Sequence, residues 1–219
     1  MNRLAIFDCD GTLVDSQHNI CAAMEQCFAA AGLEPPARER TRRVVGLSLV
    51  EAIRAMLPEA DEHFHAALAE EYKRAFQAMR AQGLAEEPLY SGIAELLDRL
   101  EAEGWLLGVA TGKSDRGTAL CLEHHGLLGR FVSLQTADRH PSKPHPSMIE
   151  QAMADAGAGA ETTLMIGDTS YDMAMARAAG VTAIGVTWGY HGAEELRRAG
   201  AHHVAAHPLD IIELTKALA

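Results

Sequence analysis

Leu4-Ala5-Ile6-Phe7-Asp8-Cys9-Asp10-Gly11-Thr12 opens the chain and decides its fold. Four consecutive apolar residues leave no polar side for solvent. That is the signature of a strand covered on both faces, and such strands belong to parallel sheets. The run ends in a polar, glycine-containing segment, the composition of a turn. Carboxylates at i and i+2 of extended backbone share a face, so Asp8 and Asp10 point one way and Cys9 the other.

The alternation continues beyond this stretch. Residues 106–111, 131–134, 163–166, 183–186 and 203–205 read as strands. Helical stripes lie between them. One carries Ile93, Leu96, Leu97 and Leu100 behind Ser91, a good N-cap, and ends at Gly104. Others run from Thr118 to His125, start at Pro146, stop at Gly180, and span 193–198, with a last helix at the C-terminus. Strands alternating with helices predict an α/β fold with a doubly wound, mostly parallel sheet.

Residues 16–83 break the pattern. Ile20, Met24, Cys27, Phe28 and Ala31 form a helical stripe closed by Gly32. Residues 38–83 hold no strand-like run and predict two or three more helices, the longest through Leu68, Tyr72, Ala75, Phe76 and Met79. The expected organisation is a core of residues 1–15 and 84–219, with a small all-helical domain of residues 16–83 on a hinge.

Composition excludes several functions. The 219 residues are 48% hydrophobic and 22% charged, so a packed core is expected and wholesale disorder is not. Thirty acidic against nineteen basic residues give a net charge of −11, which argues against nucleic acid or an anionic membrane as partner. An anionic substrate then needs local cations or a bound metal. Four cysteines without a C-x-x-C pair suit a reducing, cytoplasmic setting. The apolar run at 4–7 is too short for a signal peptide, and no stretch approaches the roughly 18 apolar residues of a membrane span.

Ligands of open α/β sheets bind beyond the carboxyl ends of the strands. The first strand delivers Asp8 and Asp10, and the second Thr111-Gly112-Lys113. The fourth delivers Gly167-Asp168, with Asp172 four residues on, and a loop after the third carries Lys143. Crowding these acids costs like-charge repulsion, which a divalent, oxygen-seeking cation such as Mg²⁺ removes. The Thr111 hydroxyl and Lys143 supply donors for a phosphoryl group.

Together these segments resemble the haloacid dehalogenase superfamily. Residues 8–16 (DCDGTLVDS) resemble its first motif, Thr111 its second, Lys143-Pro144 its third, and Gly167-Asp168-Thr169-Ser170-Tyr171-Asp172 its fourth. The likeness covers essentially the whole chain and implies a Rossmann-like core with a helical cap between the first and second motifs. It implies that Asp8 is the nucleophile and Asp10 the general acid and base. It further implies that Asp8, the main-chain carbonyl of Asp10, and Asp168 hold Mg²⁺, with Asp172 orienting metal waters. Thr111, Gly112 and Lys143 would bind phosphate.

An acid at Asp10 favours phosphate transfer over dehalogenation. Gly46-Leu47-Ser48 resembles the cap loop that reaches the site, and Arg42, Arg43 and Ser48 are the candidate specificity residues. Residues 13–16 and 143–146 are most similar to the phosphoglycolate phosphatase-like members. The implied function is hydrolysis of a small phosphorylated metabolite, 2-phosphoglycolate or a similar ester, by a monomer or homodimer. A sugar-phosphate mutase is the alternative within the fold, and Leu49, where mutases carry a basic residue, counts against it. A catalytically idle binding protein is the alternative outside enzymology. His18 and His191 are placed near the mouth of the site.

Overall fold

The computed structural model describes residues 1–217. After strand β1 (Asn2–Phe7) the chain enters four helices: α1 (Gln17–Ala30), α2 (Arg38–Val44), α3 (Leu49–Met56) and α4 (Glu62–Ala81). It returns through α5 (Ile93–Ala102), β2 (Trp105–Thr111), α6 (Asp115–His124), β3 (Phe131–Thr136), α7 (Ser147–Ala156) and β4 (Ala158–Gly167). It finishes with α8 (Ser170–Ala179), β5 (Thr182–Val186), α9 (Ala193–Arg198), β6 (His203–Ala205) and α10 (Asp210–Ala217).

All the strand pairs are parallel, in the order β3-β2-β1-β4-β5-β6. The chain steps outward from β1 to β3, then returns to the other side of β1 and steps outward again. The order therefore reverses at β1, and a crevice opens there beyond the strand ends. Phe7 lies level with Val109 of β2 and Ile166 of β4. The residues that follow these three emerge side by side.

The pleat of β1 sorts its side chains between two layers. Leu4 and Ile6 pack with Met148 and Ile149 of α7, Met173 of α8 and Leu196 of α9. Ala5 and Phe7 pack with Leu96 and Leu97 of α5, Leu122 of α6 and Ile211 of α10. This double burial is why the strand is apolar throughout.

Helices α1–α4 surround a third cluster that includes Met24, Phe28, Ile53, Met56 and Leu68. The two connections to the sheet run side by side: Val14 bridges Leu89, and the Asp15 N–H donates to the Pro88 carbonyl at 2.8 Å. Elsewhere α1–α4 are clasped to the sheet layers. Arg43 pairs with Glu195 at 2.7 Å, the Tyr171 hydroxyl donates to the Arg43 carbonyl, and the Ser48 N–H donates to Ser142 Oγ at 2.8 Å.

Three local expectations shift. The N-cap of α5 is Gly92 rather than Ser91, because the turn needs a left-handed residue (φ +90°) that glycine adopts without strain. Helix α6 begins three residues ahead of Thr118, where the Ser114 side chain caps the Gly117 N–H. Pro146 sits at the cap position of α7, one residue outside the helix. Among the described residues, no helix is long and apolar enough to cross a membrane.

Candidate active site

The turn after β1 is tight. The Leu13 and Val14 N–H groups donate to the Cys9 carbonyl, and Gly11 takes φ +84°. A Cβ on Gly11 would collide with the Asp168 carboxylate and the Tyr190 ring, so the glycine is required twice over. Asp8 and Asp10 face the strand-end crevice, whereas Cys9 is buried with the α5–α6 layer.

Three carboxylates and one ammonium meet in the crevice, all buried. Lys143 Nζ lies 3.0 Å from Asp8 Oδ1 and 2.6 Å from Asp172 Oδ1. Asp168 accepts from the Thr12 hydroxyl at 2.9 Å and the Tyr190 N–H at 2.8 Å. Asp172 is engaged from a second side as well. Its Oδ2 accepts from the N–H and hydroxyl of Thr169, closing the capping box of α8. Burial pushes the Asp8 carboxyl up to about 7, against the pull of Lys143. Burial, with Asp8 and Asp172 nearby, also raises Asp168. Burial pulls the Lys143 titration down, but Asp172 and Asp8 outweigh it and hold the ammonium above its usual range.

Three carboxylates against one ammonium leave two negative charges unbalanced. Oxygens of Asp8, Asp168 and Asp172 lie within 4.8 Å of one another, and Asp8 Oδ2 is buried with no hydrogen-bond partner among the described residues. An all-oxygen, doubly negative donor set with one orphaned oxygen fits a hard divalent cation.

A second charged cluster adjoins the first. Lys113 Nζ donates to Asp10 Oδ1 at 2.7 Å and to Glu87 Oε1 at 2.9 Å, and Glu87 also pairs with Arg80. Burial disfavours the Lys113 ammonium, yet Asp10 and Glu87 raise it well above its usual range. Glu87 lies in the connection that returns from α4 to α5, so this chain of pairs ties Asp10 to that connection.

A cavity of about 500 Å³ opens above Asp8 and Asp10. Thr111 and Gly112 line it, as does the 46–48 loop, Ser48 included. Lys143, Asp168 and Asp172 lie behind it. The Thr111 hydroxyl accepts from the Lys113 N–H at 3.2 Å. A Cβ on Gly112 would stand 2.5 Å from the Leu47 carbonyl oxygen and 2.8 Å from that of Gly46.

The structure thus brings Asp8, Asp10, Thr111, Gly112, Lys143, Asp168 and Asp172 together, with Ser48 above them. It does not bring Arg42 or Arg43 to the cavity. Helix α2 buries Thr41 and Val44, so the two arginines leave by its sides. Arg43 is held by Glu195, and Arg42 lies beside Cys21 of α1. His18 is exposed. His191 is buried, and its Nδ1 accepts the Ser170 N–H at 3.0 Å, which makes it a prop for α8. Sequence reasoning missed Lys113, Glu87 and Tyr190. The Thr111-Gly112-Lys113 run at a strand end was a usable signal for the first; the others sit in connections without pattern.

The chain matches the family model described as haloacid dehalogenase-like hydrolase over residues 5–186. It is 40% identical to the probable phosphatase IndB of Dickeya dadantii, over 91% of this chain and 87% of that protein. It is 34% identical to a phosphoglycolate phosphatase of Agrobacterium fabrum, over 87% and 82% respectively. A crystal structure of a hydrolase from Pseudomonas syringae superposes with a TM-score of 0.87 at 28% identity, covering both chains fully. With its four strand-end motifs on one parallel sheet, the chain belongs to the haloacid dehalogenase-like hydrolases, as a phosphoric monoester hydrolase of the phosphoglycolate phosphatase-like kind.

Proposed function

We propose that the protein hydrolyses small phosphate monoesters with Mg²⁺ through an aspartyl-phosphate on Asp8. The observation that carries this is the orphaned Asp8 Oδ2, a buried carboxylate oxygen without a partner at the floor of the cavity. Asp8 and Asp168, with the Asp10 main-chain carbonyl, would hold the cation. When bound, it neutralises the buried negative charge and draws charge from the phosphoryl oxygens. Asp172, engaged by Lys143 and by the α8 cap, would act behind this set.

The ester's phosphorus sits against Asp8, one of whose carboxylate oxygens attacks in line as the P–O bond to the alkoxide breaks. Lys143, the Thr111 hydroxyl and the Gly112 N–H hold the phosphoryl oxygens. Asp10 gives a proton to the departing alkoxide through the oxygen that Lys113 leaves free. The resulting carboxylate takes a proton from the water that cleaves the acyl phosphate, returning both aspartates to their starting state. Helices α1–α4, residues 16–83, act as a cap domain that excludes bulk water during the attack. The four cysteines are free and buried, in keeping with a reducing, cytoplasmic setting.

The first substrate to test is 2-phosphoglycolate, the substrate named for the Agrobacterium relative. The experiment is phosphate release from a panel of small monoesters with and without Mg²⁺, with Asp8→Asn as control. Mg²⁺-dependent release that vanishes in the variant is expected. Absence of release from every ester by folded, Mg²⁺-loaded protein overturns the proposal.

A further inference from the structure

We infer, resting on the phosphatase reading of this site, that the alcohol half of the substrate carries an apolar ring and is not a small carboxylic acid. Two independent features of the cavity point there.

The first is the wall opposite Asp8 and Asp10. Tyr72 and Phe76 of α4 stand there with ring centroids 6.1 Å apart at 36°, and Ile20 and Met24 of α1 and Leu120 of α6 extend the apolar surface. Leu120 is partly exposed at this wall. A cavity of about 500 Å³ with such walls has the dimensions of a site for a ring-bearing ligand. A two-carbon alcohol touching Asp10 would leave the aromatic wall without partner atoms and forfeit those contacts.

The second feature is the state of the cations. A phosphorylated acid is received most strongly where a cation faces its carboxylate. Lys73, Arg80 and Lys113 reach the cavity, but Lys73 is paired with Glu70, Arg80 with Glu87, and Lys113 with both Asp10 and Glu87. Arg80 and Lys113 also lie 5.4 and 5.6 Å from the Phe76 ring centre, which orients that ring. The remaining lining cation, Arg116, is exposed on α6 and in no ion pair among the described residues. A carboxylate drawn to it at the mouth would gain little in high dielectric. The cavity therefore offers a ring a surface and offers a second anion no buried partner.

The test compares esters whose alcohols differ in shape. With the full chain and Mg²⁺, kcat/KM is measured for benzyl phosphate, ethyl phosphate and 2-phosphoglycolate. Benzyl phosphate is expected to exceed both others at least tenfold. Phe76→Ala is expected to cut the benzyl ester at least fivefold more than the ethyl ester, chiefly through KM. Preference for 2-phosphoglycolate, or equal losses for both esters in Phe76→Ala, overturns the inference.

Binding of benzylphosphonate and methylphosphonate, which cannot be hydrolysed, separates this inference from the reaction it rests on. No turnover of any ester, together with benzylphosphonate bound at least tenfold tighter, overturns the phosphatase reading and leaves the ring site standing. Equal binding of the two phosphonates overturns the ring site whatever the turnover.

Discussion

Two lysines serve neighbouring acid clusters, Lys143 fully buried and Lys113 nearly so, and they live differently. Lys143 faces Asp8 and Asp172, with Asp168 adjacent, so its cluster is short of positive charge by two. Lys113 faces Asp10 and Glu87, and Arg80 completes a set in which charges cancel while Asp10 is ionised. Both ammonium groups are held by carboxylates against the pull of burial. The difference lies in what each cluster lacks. A cluster that balances is complete and works as a strut. A cluster that does not balance is strained, and the strain shows in its carboxyls, with both Asp8 and Asp168 pushed above their ordinary range.

The largest effect that would break this contrast comes from Asp8→Asn. Phosphate release is expected to fall by about 10⁴-fold or more, because nothing else beneath the cavity replaces that oxygen. The same change removes one unbalanced charge, so the metal-free variant should melt about 3–8 °C above wild type at pH 7.5. Kinetics and calorimetric melting check both; a lower melting temperature would mean that the cluster is not strained.

Lys143→Met works the other way. It leaves Asp8 and Asp172 unpaired, with an expected loss of about 3–5 kcal/mol in metal-free denaturant unfolding and partial recovery in excess Mg²⁺. No recovery on adding the cation would argue against a shared charge deficit.

The pH dependence follows with its sign. Asp8 titrates near 7 in the metal-free fold, against about 3.9 in the unfolded chain, and Asp168 is raised too. The protonated fold is favoured, so this contribution to stability is full below about pH 4 and lost as pH rises through 7. The melting difference between Asp8→Asn and wild type should therefore widen from pH 5 to pH 8. Mg²⁺ should bind more weakly below pH 7, by about tenfold per unit, and should displace protons measurable by calorimetry in two buffers.

The smallest effects belong to the balanced cluster. Glu87→Gln and Lys113→Met each leave an odd charge and should cost about 1–3 kcal/mol. Together they restore neutrality around Asp10 and Arg80, so the double variant should be more stable than the summed losses, with a coupling of about 1–2 kcal/mol. Additive losses would show that the pairs are not one unit.

What is legible in the sequence follows from chain contiguity. A strand and the turn that leaves it are adjacent residues, so Asp8, Asp10, Thr111 and Asp168 announce themselves as soon as the strands are found. Lys143 lies farther from its strand and needs the family pattern. The Lys113–Glu87 pair joins two segments with no shared periodicity, which only the fold brings together. Arg42 and Arg43 mislead because an arginine pair near a loop says nothing of helix phase. Burial of Thr41 and Val44 sets that phase, and it turns Arg43 toward Glu195, 152 positions away. The apolar wall is hidden for a related reason: Tyr72 and Phe76 read as core until the cavity beside them is seen.

Gly112 bears on the timing of the reaction. The carbonyl oxygens of Gly46 and Leu47 rest where its side chain would be. An alanine there would act as a doorstop, pushing the 46–47 segment back by the width of a methyl group. On the proposed route the mixed anhydride at Asp8 would then stand open to any passing nucleophile, and its phosphoryl group could leave to alcohols as well as to water. A single hydrogen atom thus stands between an enzyme that commits each ester to one fate and one that leaks.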